Sequence, residues 1–570
     1  MSEQEPITVP RVVGIVVADL ETTAIGTPSR LSHDWAGMAG ENGDPVLRVV
    51  IKRLRQVRGV GEVCVLTPAE QVMTVKELVG GVENVCVKEL QPRPASIAAR
   101  VRIGRAWNLL AWRGGAGQFT VFDEEYHPAA IARACAESFA GQGAEHVLVV
   151  HSHGVFLDVE ITSALVHHHL HKNHEMRVTY TPAAPGLAGM VLRADIVKEM
   201  GEKDVMPWQL LGYDPKAPTF DTLIREACMQ VDPALSKIPN RFCVDTDRSW
   251  HIGRELMLRQ YESAAAMCLA AARGIAPGVT ELSHVYGGPR ELEIELTQRR
   301  LTTPPGSVPA NGSKEWQTVE WLRFFQPSAN GDHVGVAGHP EMLVTFGGLG
   351  DPLLFNGSLR DILRAARESR ALSICVQTDL AGGDIDGLLA AINDGFVDVV
   401  TITMYGHTPE TYATVAGADL HATVMKNMER LAEATRARGG VPLVVPRLLK
   451  VRETIPELEA FFDFWLERCG WAVIDGPTDR AGTVEFKGVV DMAPPKRKPC
   501  RRLWDRMMVH ADGRVGPCDQ DVAAKLSVGA VGTLPLRQMW EALSDLRNKH
   551  AAGRWAEIDP CKTCREWHRP

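Results

Sequence analysis

Four of the twelve cysteines decide most about what this chain can fold into. Cys500, Cys518, Cys561 and Cys564 lie within the last 71 residues. Cys64, Cys86, Cys135, Cys228, Cys243, Cys268, Cys375 and Cys469 are scattered singly, several in apolar runs such as VCVL and ICVQT. The scattered eight read as small buried hydrophobes. The terminal four follow the pattern C-x12-G-x4-C, then 42 residues, then C-x2-C. Thiolates are soft ligands, and four converging from separate segments make a closed tetrahedral set for zinc or for an iron–sulfur cluster. The sequence between them allows that convergence. In MMVHADGRVGPC, Asp512-Gly513 is a two-residue turn signal between apolar residues, which predicts a hairpin returning Cys518 toward Cys500. LRQMWEALSDLRNKH has helical periodicity and carries the chain back to Cys561.

With 570 residues, 45% hydrophobic and 23% charged, the chain has the composition of an ordinary globular protein, and its length suggests about four domains. A formal charge of −8 argues against a dedicated nucleic-acid surface. MSEQEPITVPRVVG lacks the basic region, apolar core and small-residue site of a secretory signal, and no apolar run reaches membrane-spanning length. These features predict a cytoplasmic protein, in which clustered cysteines point to metal or catalysis and not to disulfides.

From Arg11 onward short apolar runs alternate with amphipathic stretches: VVGIVVA, VLRVVIKRLRQV, GEVCVLT, and later HVLVVHSH before ITSALVHHHL. That alternation indicates an α/β fold with a largely parallel sheet. A Gly- and Pro-rich stretch near Ala276 to Gly288 ends this part. A new strand follows at ELEIELT, where Leu292, Ile294 and Leu296 alternate with Glu. Strand and helix candidates then recur as MLVTFGG, LRDILRAARE, LSICVQT, GLLAAINDG, DVVTITMYG, VMKNMERLAEATRA and PLVVPRLL, the spacing of a full or partial TIM-type β/α barrel with ligands at the strand C-termini. A Gly-, Pro- and Lys-rich linker from Asp475 to Pro499 precedes the last module. The expected domains are 1–285, 286–475 and 476–570.

Cys500, Trp504, Asp512-Gly513, Cys518-Asp519, the helix with Trp540, and Cys561-Lys-Thr-Cys564 together resemble the short, one-cluster SPASM module. That iron–sulfur domain follows the barrel in many radical S-adenosylmethionine (SAM) enzymes. The resemblance implies one auxiliary 4Fe–4S cluster on the four cysteines. In the same family the first barrel strand leads into a C-x3-C-x2-C loop that holds the SAM-cleaving cluster. Here the three places after ELEIELTQR are taken by Arg300, Pro304 and Ser307, and no cysteine lies between Cys268 and Cys375. None of the three replaces a thiolate, so the usual radical-generating cluster is not expected. TFGGLGDPLL still resembles the family's Gly-Gly-Glu-Pro segment, where backbone groups meet the cofactor's ammonium. It offers Gly347, Gly348, Gly350 and Asp351 as cofactor-binding candidates. ICVQTDLAG resembles the later strand with a Thr-Asn-Gly type turn. In DVVTITMYGHTPETY, Thr403 and Tyr405 take the places of the family's Ser and Asp near the ribose, which weakens the expectation of SAM binding further. Arg299 and Arg300 are either an anion-binding pair or, the simpler reading, a solvated charge pair.

The first part resembles a nucleotidyltransferase, a Rossmann-like fold with a Gly-rich phosphate loop and a strand-end Asp for magnesium. The loop has only Gly26 before Ser29-Arg30, His153 stands where the metal Asp is expected, Asp158 follows, and NRFCVDTDRSW offers Asp245 and Asp247. HHHLHKNH places His167, His171 and His174 on one helix face, either a metal site or an exposed polar face. A nucleotidyltransferase-like domain, a radical-SAM-like barrel and a SPASM module, in that order, resemble the spiro-SPASM type of protein. That implies a peptide or sugar-linked substrate and an electron-transfer partner. The leading expectation is a radical-SAM-like SPASM protein with one auxiliary cluster and no SAM cleavage. The alternatives are a nucleotidyl- or glycosyl-transferase acting through Arg30 and Asp245 or Asp247, and a non-catalytic scaffold.

Overall fold

The computed structural model describes residues 10–23, 27–35, 43–91, 127–172, 177–203, 227–236, 242–257, 288–309, 315–326, 342–470, 472–500 and 502–569, with a few single positions between them. Two compact units divide the chain, Met1–Val285 and Tyr286–Pro570.

In the first unit, β1 (Val12–Val17), β4 (Val60–Thr67), β5 (Val85–Glu89), β6 (His146–Val150), β7 (Val178–Thr179) and β8 (Met190–Arg193) form a sheet in the order β5-β4-β1-β6-β8-β7. β2 (Asp34–Trp35) and β3 (Asp44–Pro45) pair separately. The four strands β5, β4, β1 and β6 are parallel, and β8 runs antiparallel to β6. Successive residues of β1 serve opposite faces, as a strand requires. Val12 and Val16 join a core with Val63, Val65, Leu148 and Val150. Val13, Ile15 and Val17 join another with Cys64, Leu66, Val147 and Val149. A parallel sheet covered on both faces reads as a continuous apolar run, which is why VVGIVV shows no alternation.

The second unit is built differently. β9 (Glu291–Ile294), β10 (Leu343–Phe346), β11 (Ser373–Thr378), β12 (Val399–Met404), β13 (Leu443–Leu449) and β14 (Val473–Asp475) are parallel neighbours in chain order. Helices Leu359–Glu368, Ile385–Asn393, His421–Ala437 and Leu458–Cys469 connect them. Two begin with side-chain caps: Ser358 accepts from the Asp361 amide, and Asp384 from the Gly387 amide. One face of the sheet is apolar, with Leu292, Ile294, Val344, Phe346, Ile374, Val376, Val400 and Ile402 in a single core. The opposite face is polar and equally buried, with Glu291, Glu293, Glu295, Thr345 and Thr401 all at 7% exposure or less.

The tail completes this sheet. β15 (Arg506–Val509) lies parallel to β9 on its free edge, and β16 (Arg514–Gly516) and β17 (Gly529–Ala530) continue antiparallel. Among the described residues the sheet runs β14-β13-β12-β11-β10-β9-β15-β16-β17. The hairpin expected at Asp512-Gly513 forms, but its loop is longer than a two-residue turn. The His510 amide bonds to the Arg514 carbonyl at 2.8 Å, and the Gly513 amide to the His510 carbonyl at 2.8 Å. Residues 511–513 thus make a three-residue loop with Gly513 at φ +82°, a position suited to glycine. The predicted helix after it is two, Leu536–Ala542 and Ser544–Ala551, interrupted at Leu543.

Register places Arg506 beside Glu291 and Met508 beside Glu293. Arg506 reaches Glu291 at 2.5 Å and Glu293 at 3.7 Å in a nearly dry setting. Removing one member of a buried ion pair strands the other, at a cost of roughly 3–5 kcal/mol. Arg506→Ala is therefore expected to lower the stability of this unit by about that amount, read as a reduced urea midpoint with an unchanged slope.

Candidate functional site

At the C-terminal ends of β9 to β14 the second unit holds a cavity of about 210 Å³. The Gly-rich turn after β10 forms part of its wall, tied to the end of β9. The Gly347 amide donates to the Ile294 carbonyl at 2.9 Å, the Leu349 amide to Glu295 Oε2 at 2.8 Å, and the Asp351 amide to the Arg299 carbonyl at 2.9 Å. Gly348 has φ +103°, and a Cβ there would stand 2.8 Å from Glu295 Oε2, so the turn accepts no side chain at that point.

Of the four cofactor-binding candidates, Gly347, Gly348 and Gly350 line the cavity and Asp351 does not. Asp351 is buried beneath the wall. Its Oδ1 accepts from the Leu353 amide at 2.9 Å, and its Oδ2 from Thr378 Oγ1 at 2.8 Å and the Asp379 amide at 2.9 Å. Burial, reinforced by Asp379, pushes its carboxyl up to about 8. Asp351 therefore shapes the turn and is withdrawn from ligand contact.

Arg300, Pro304, Ser307, Thr403 and Tyr405 also line the cavity. Arg300 turns inward onto the glycine turn: Nε donates to the Leu349 carbonyl at 3.2 Å, Nη2 to the Gly350 carbonyl at 3.4 Å and Nη1 to the Tyr405 hydroxyl at 2.9 Å. Arg299, its suggested partner, is half-exposed and lies 3.9 Å from Glu315. The two arginines do not form a pair.

The terminal cysteines sit close to this cavity in the chain's own connectivity, since Arg502, Asp519 and Glu566 line it. Cys500 is buried with Leu503, Trp504 and Trp567, and its amide donates to His550 Nδ1 at 3.2 Å. Arg497 donates to the Cys561 carbonyl at 2.7 Å, and the Cys564 amide closes a turn on that same carbonyl at 3.2 Å. Burial pushes all four thiols up, Cys561 and Cys564 to about 12, Cys500 above its ordinary value and Cys518 well above it. Charge on Cys500 raises the other three further, so the four thiols lie in one another's field. Among the described residues no three His, Cys, Asp or Glu side chains are gathered as a ready-made ion site. The donor chemistry nevertheless suits a metal group. Four thiols, Cys500 buried and the other three half-buried, that repel one another as thiolates need cationic charge in their midst to ionise, and iron or zinc brings it.

Residues 500–565 match the SPASM domain, an iron–sulfur cluster-binding domain. All four cysteines fall inside the match. A protein of Treponema pallidum (strain Nichols), uncharacterised, is 26% identical over 234 residues, covering 38% of this chain. The match spans 62% of that relative's length. Among solved structures, BtrN in complex with AdoMet and 2-DOIA is 16% identical, with 48% of this chain and 92% of that one covered at a TM-score of 0.32. Streptococcus suis SuiB bound to the precursor peptide SuiA is 10% identical, with 66% and 84% covered at a TM-score of 0.38.

The candidates of the first unit are engaged within the protein. Arg30 pairs with Asp247 and lies 5.6 Å over the Trp250 ring. His151 Nε2 is 3.6 Å from Asp245 Oδ2. His153 lies 3.4 Å from Ser29 Oγ and 3.1 Å from Ser152 Oγ, and burial, with His151 adding to it, takes it down to about 3. Asp158 accepts from the Ile161 amide at 3.0 Å at the start of helix Val159–Lys172. Gly26 and His174 lie outside the described residues. The rings of His167 and His171 lie 4.4 Å apart on the helix, tilted at 45°. The histidine that matters to the fold is His169, which periodicity did not single out. It is buried, 3.0 Å from His146 Nδ1 and 2.7 Å from Thr179 Oγ1.

Among the scattered cysteines Cys64, Cys135, Cys228, Cys243 and Cys375 are buried, and Cys86 and Cys469 are half-buried. Cys268 lies outside the described residues.

One cavity residue titrates in an informative range. Burial, with Asp519 adding to it, pushes Glu293 up from the ordinary 4.5 to about 7. A carboxyl with a raised value in the folded state binds its proton more tightly folded than unfolded. Its stabilising effect is complete below 4.5 and is lost as pH rises through about 7. Glu293→Gln is expected to flatten the decline in urea-unfolding free energy between about pH 5 and about pH 8, while leaving the acid end unchanged.

Proposed function

We propose that this is a radical-SAM-like protein of the spiro-SPASM type whose SPASM module holds one auxiliary 4Fe–4S cluster and whose sheet no longer cleaves S-adenosylmethionine. In this reading residues 1–285 are a nucleotidyltransferase-like domain, 286–475 a radical-SAM-like partial β/α barrel and 476–570 the SPASM module. Cys500, Cys518, Cys561 and Cys564 are the cluster ligands. The SPASM match and the mutual field of the four thiols support the cluster.

The observation that carries the loss of SAM cleavage is Arg300. It stands at the first ligand place of the missing loop and spends its donors on the Leu349 and Gly350 carbonyls and the Tyr405 hydroxyl. A guanidinium neither ligates iron nor leaves those carbonyls open to another cation. When bound, a 4Fe–4S cluster at the terminal cysteines supplies a one-electron relay or a clamp on the module. The residues around it have separable tasks. Arg497 and the Cys564 amide hold the Cys561 turn, His550 fixes the Cys500 backbone, and Arg502 places positive charge beside Cys518 and Cys564.

Anaerobic purification of the full chain is expected to give about four iron and four sulfide per chain, both lost in the Cys561→Ala, Cys564→Ala double variant. Zinc without sulfide would overturn the cluster assignment. The reduced protein incubated with S-adenosylmethionine is expected to yield no 5′-deoxyadenosine. Formation of that product would show that Arg300 has not replaced the radical chemistry.

A further inference from the structure

We infer that the cavity at the C-terminal ends of β9 to β14 is a binding site for a small ligand bearing a carboxylate or phosphate group, held by the guanidinium groups of Arg447, Arg480 and Arg502. The inference rests on the reading that Arg300, and no cluster, fills the first-strand loop, because a cluster there would claim the same space.

Charge decides the class of ligand. Five arginines line the cavity, Arg300, Arg447, Arg480, Arg502 and Arg569, against four carboxyl groups. Two of those carboxylates are each shared by two arginines. Asp475 pairs with Arg447 and lies 3.1 Å from Arg569, and Asp519 pairs with Arg502 and lies 2.9 Å from Arg480. Arg569 also meets Glu566, at 3.3 Å, so the five guanidinium groups exceed the four carboxyl groups by one positive charge at the cavity wall.

Unused donors point the same way. Arg502 is only 7% exposed, lines the cavity, and has no hydrogen-bond partner for its Nε. Arg480 Nε is likewise buried without a partner. An unsatisfied buried N–H is costly, and an oxygen of a bound anion would satisfy either donor. The planar fork of arginine is matched by the paired oxygens of carboxylate or phosphate. At about 210 Å³ the space lies below the roughly 300–1,000 Å³ of drug-sized sites, which favours a small acid.

Sharing also makes the test clean. Arg447→Gln leaves Asp475 with Arg569, and Arg480→Gln leaves Asp519 with Arg502, so neither variant strands a buried carboxylate. Titration calorimetry of the full chain with inorganic phosphate and with succinate is expected to show saturable one-site binding of at least one of them. Binding of phosphate alone identifies a phosphate-bearing ligand, and of succinate alone a carboxylic acid. Loss of a charge-assisted hydrogen bond should weaken that binding about tenfold or more in each variant. Arg360→Gln, which breaks an exposed pair with Asp394, should leave it unchanged.

Failure of both anions to saturate by about 10 mM, or equal affinity in the wild type and both cavity variants, would overturn the inference. 5′-Deoxyadenosine is assayed on the same preparation. Failed anion binding in a chain that makes none counts against this inference alone, whereas its formation counts against the reading beneath it.

Discussion

The pairing of Arg506 with the glutamates of β9 is the interaction on which the rest of the C-terminal unit depends. β9 presents Leu292 and Ile294 to the apolar core and Glu291 and Glu293 to the other face, which is just as buried. Carboxylates in such a place are tolerated only with partners. Arg506 supplies one from the tail, and β15 brings it into register as the seventh strand of the nine-stranded sheet. Cys500 lies just before β15 and Cys518 just after β16, so the pairing that neutralises β9 also positions two of the four thiols. Met507, Val509, Val515 and Trp540 of the tail then enter the same apolar core as the strands β9 to β12. The terminal module therefore folds as part of the sheet it follows in sequence.

Much of this was legible beforehand, and the reasons differ by element. The strands of both units announce themselves because burial on one or both faces dictates their period. The hairpin was visible in Asp512-Gly513, but its length was not, because the bonds closing it run between His510 and Arg514, outside the dipeptide. The alternation in ELEIELT suggested one dry face. It could not tell that the glutamates were dry as well, since that depends on an arginine more than two hundred residues away in sequence. His169 was hidden for a related reason: its partners His146 and Thr179 belong to strands β6 and β7, so helical spacing carried no trace of them.

The site itself was half legible. The four cysteines suggest a metal group by type and spacing, with zinc and iron–sulfur equally suited, and the absence of cysteine after β9 points to another occupant of that loop. What occupies it depends on side-chain direction, which sequence does not encode. Arg299 and Arg300 are adjacent and chemically alike, yet one lies beside Glu315 and the other bonds to the glycine turn. Asp351 is a cofactor-binding candidate in the sequence because TFGGLGDPLL resembles a Gly-Gly-Glu-Pro segment. It is instead spent on the Leu353 amide, Thr378 and Asp379, which hold the turn in shape.

Asp519 links the two halves of the site. It follows Cys518 directly, and its carboxylate pairs with Arg480 and Arg502, both of which line the cavity. Those arginines, with Arg506, hold Asp519 down to about 2 although burial works against them. In a dry setting Coulomb interactions over a few ångströms are strong and poorly screened. A charge placed in the cavity and a charge placed among the thiols therefore act on the same pair of guanidinium groups. The cavity and the cysteines are neighbours along one short ionic chain, so a charge brought to either changes the field felt by the other.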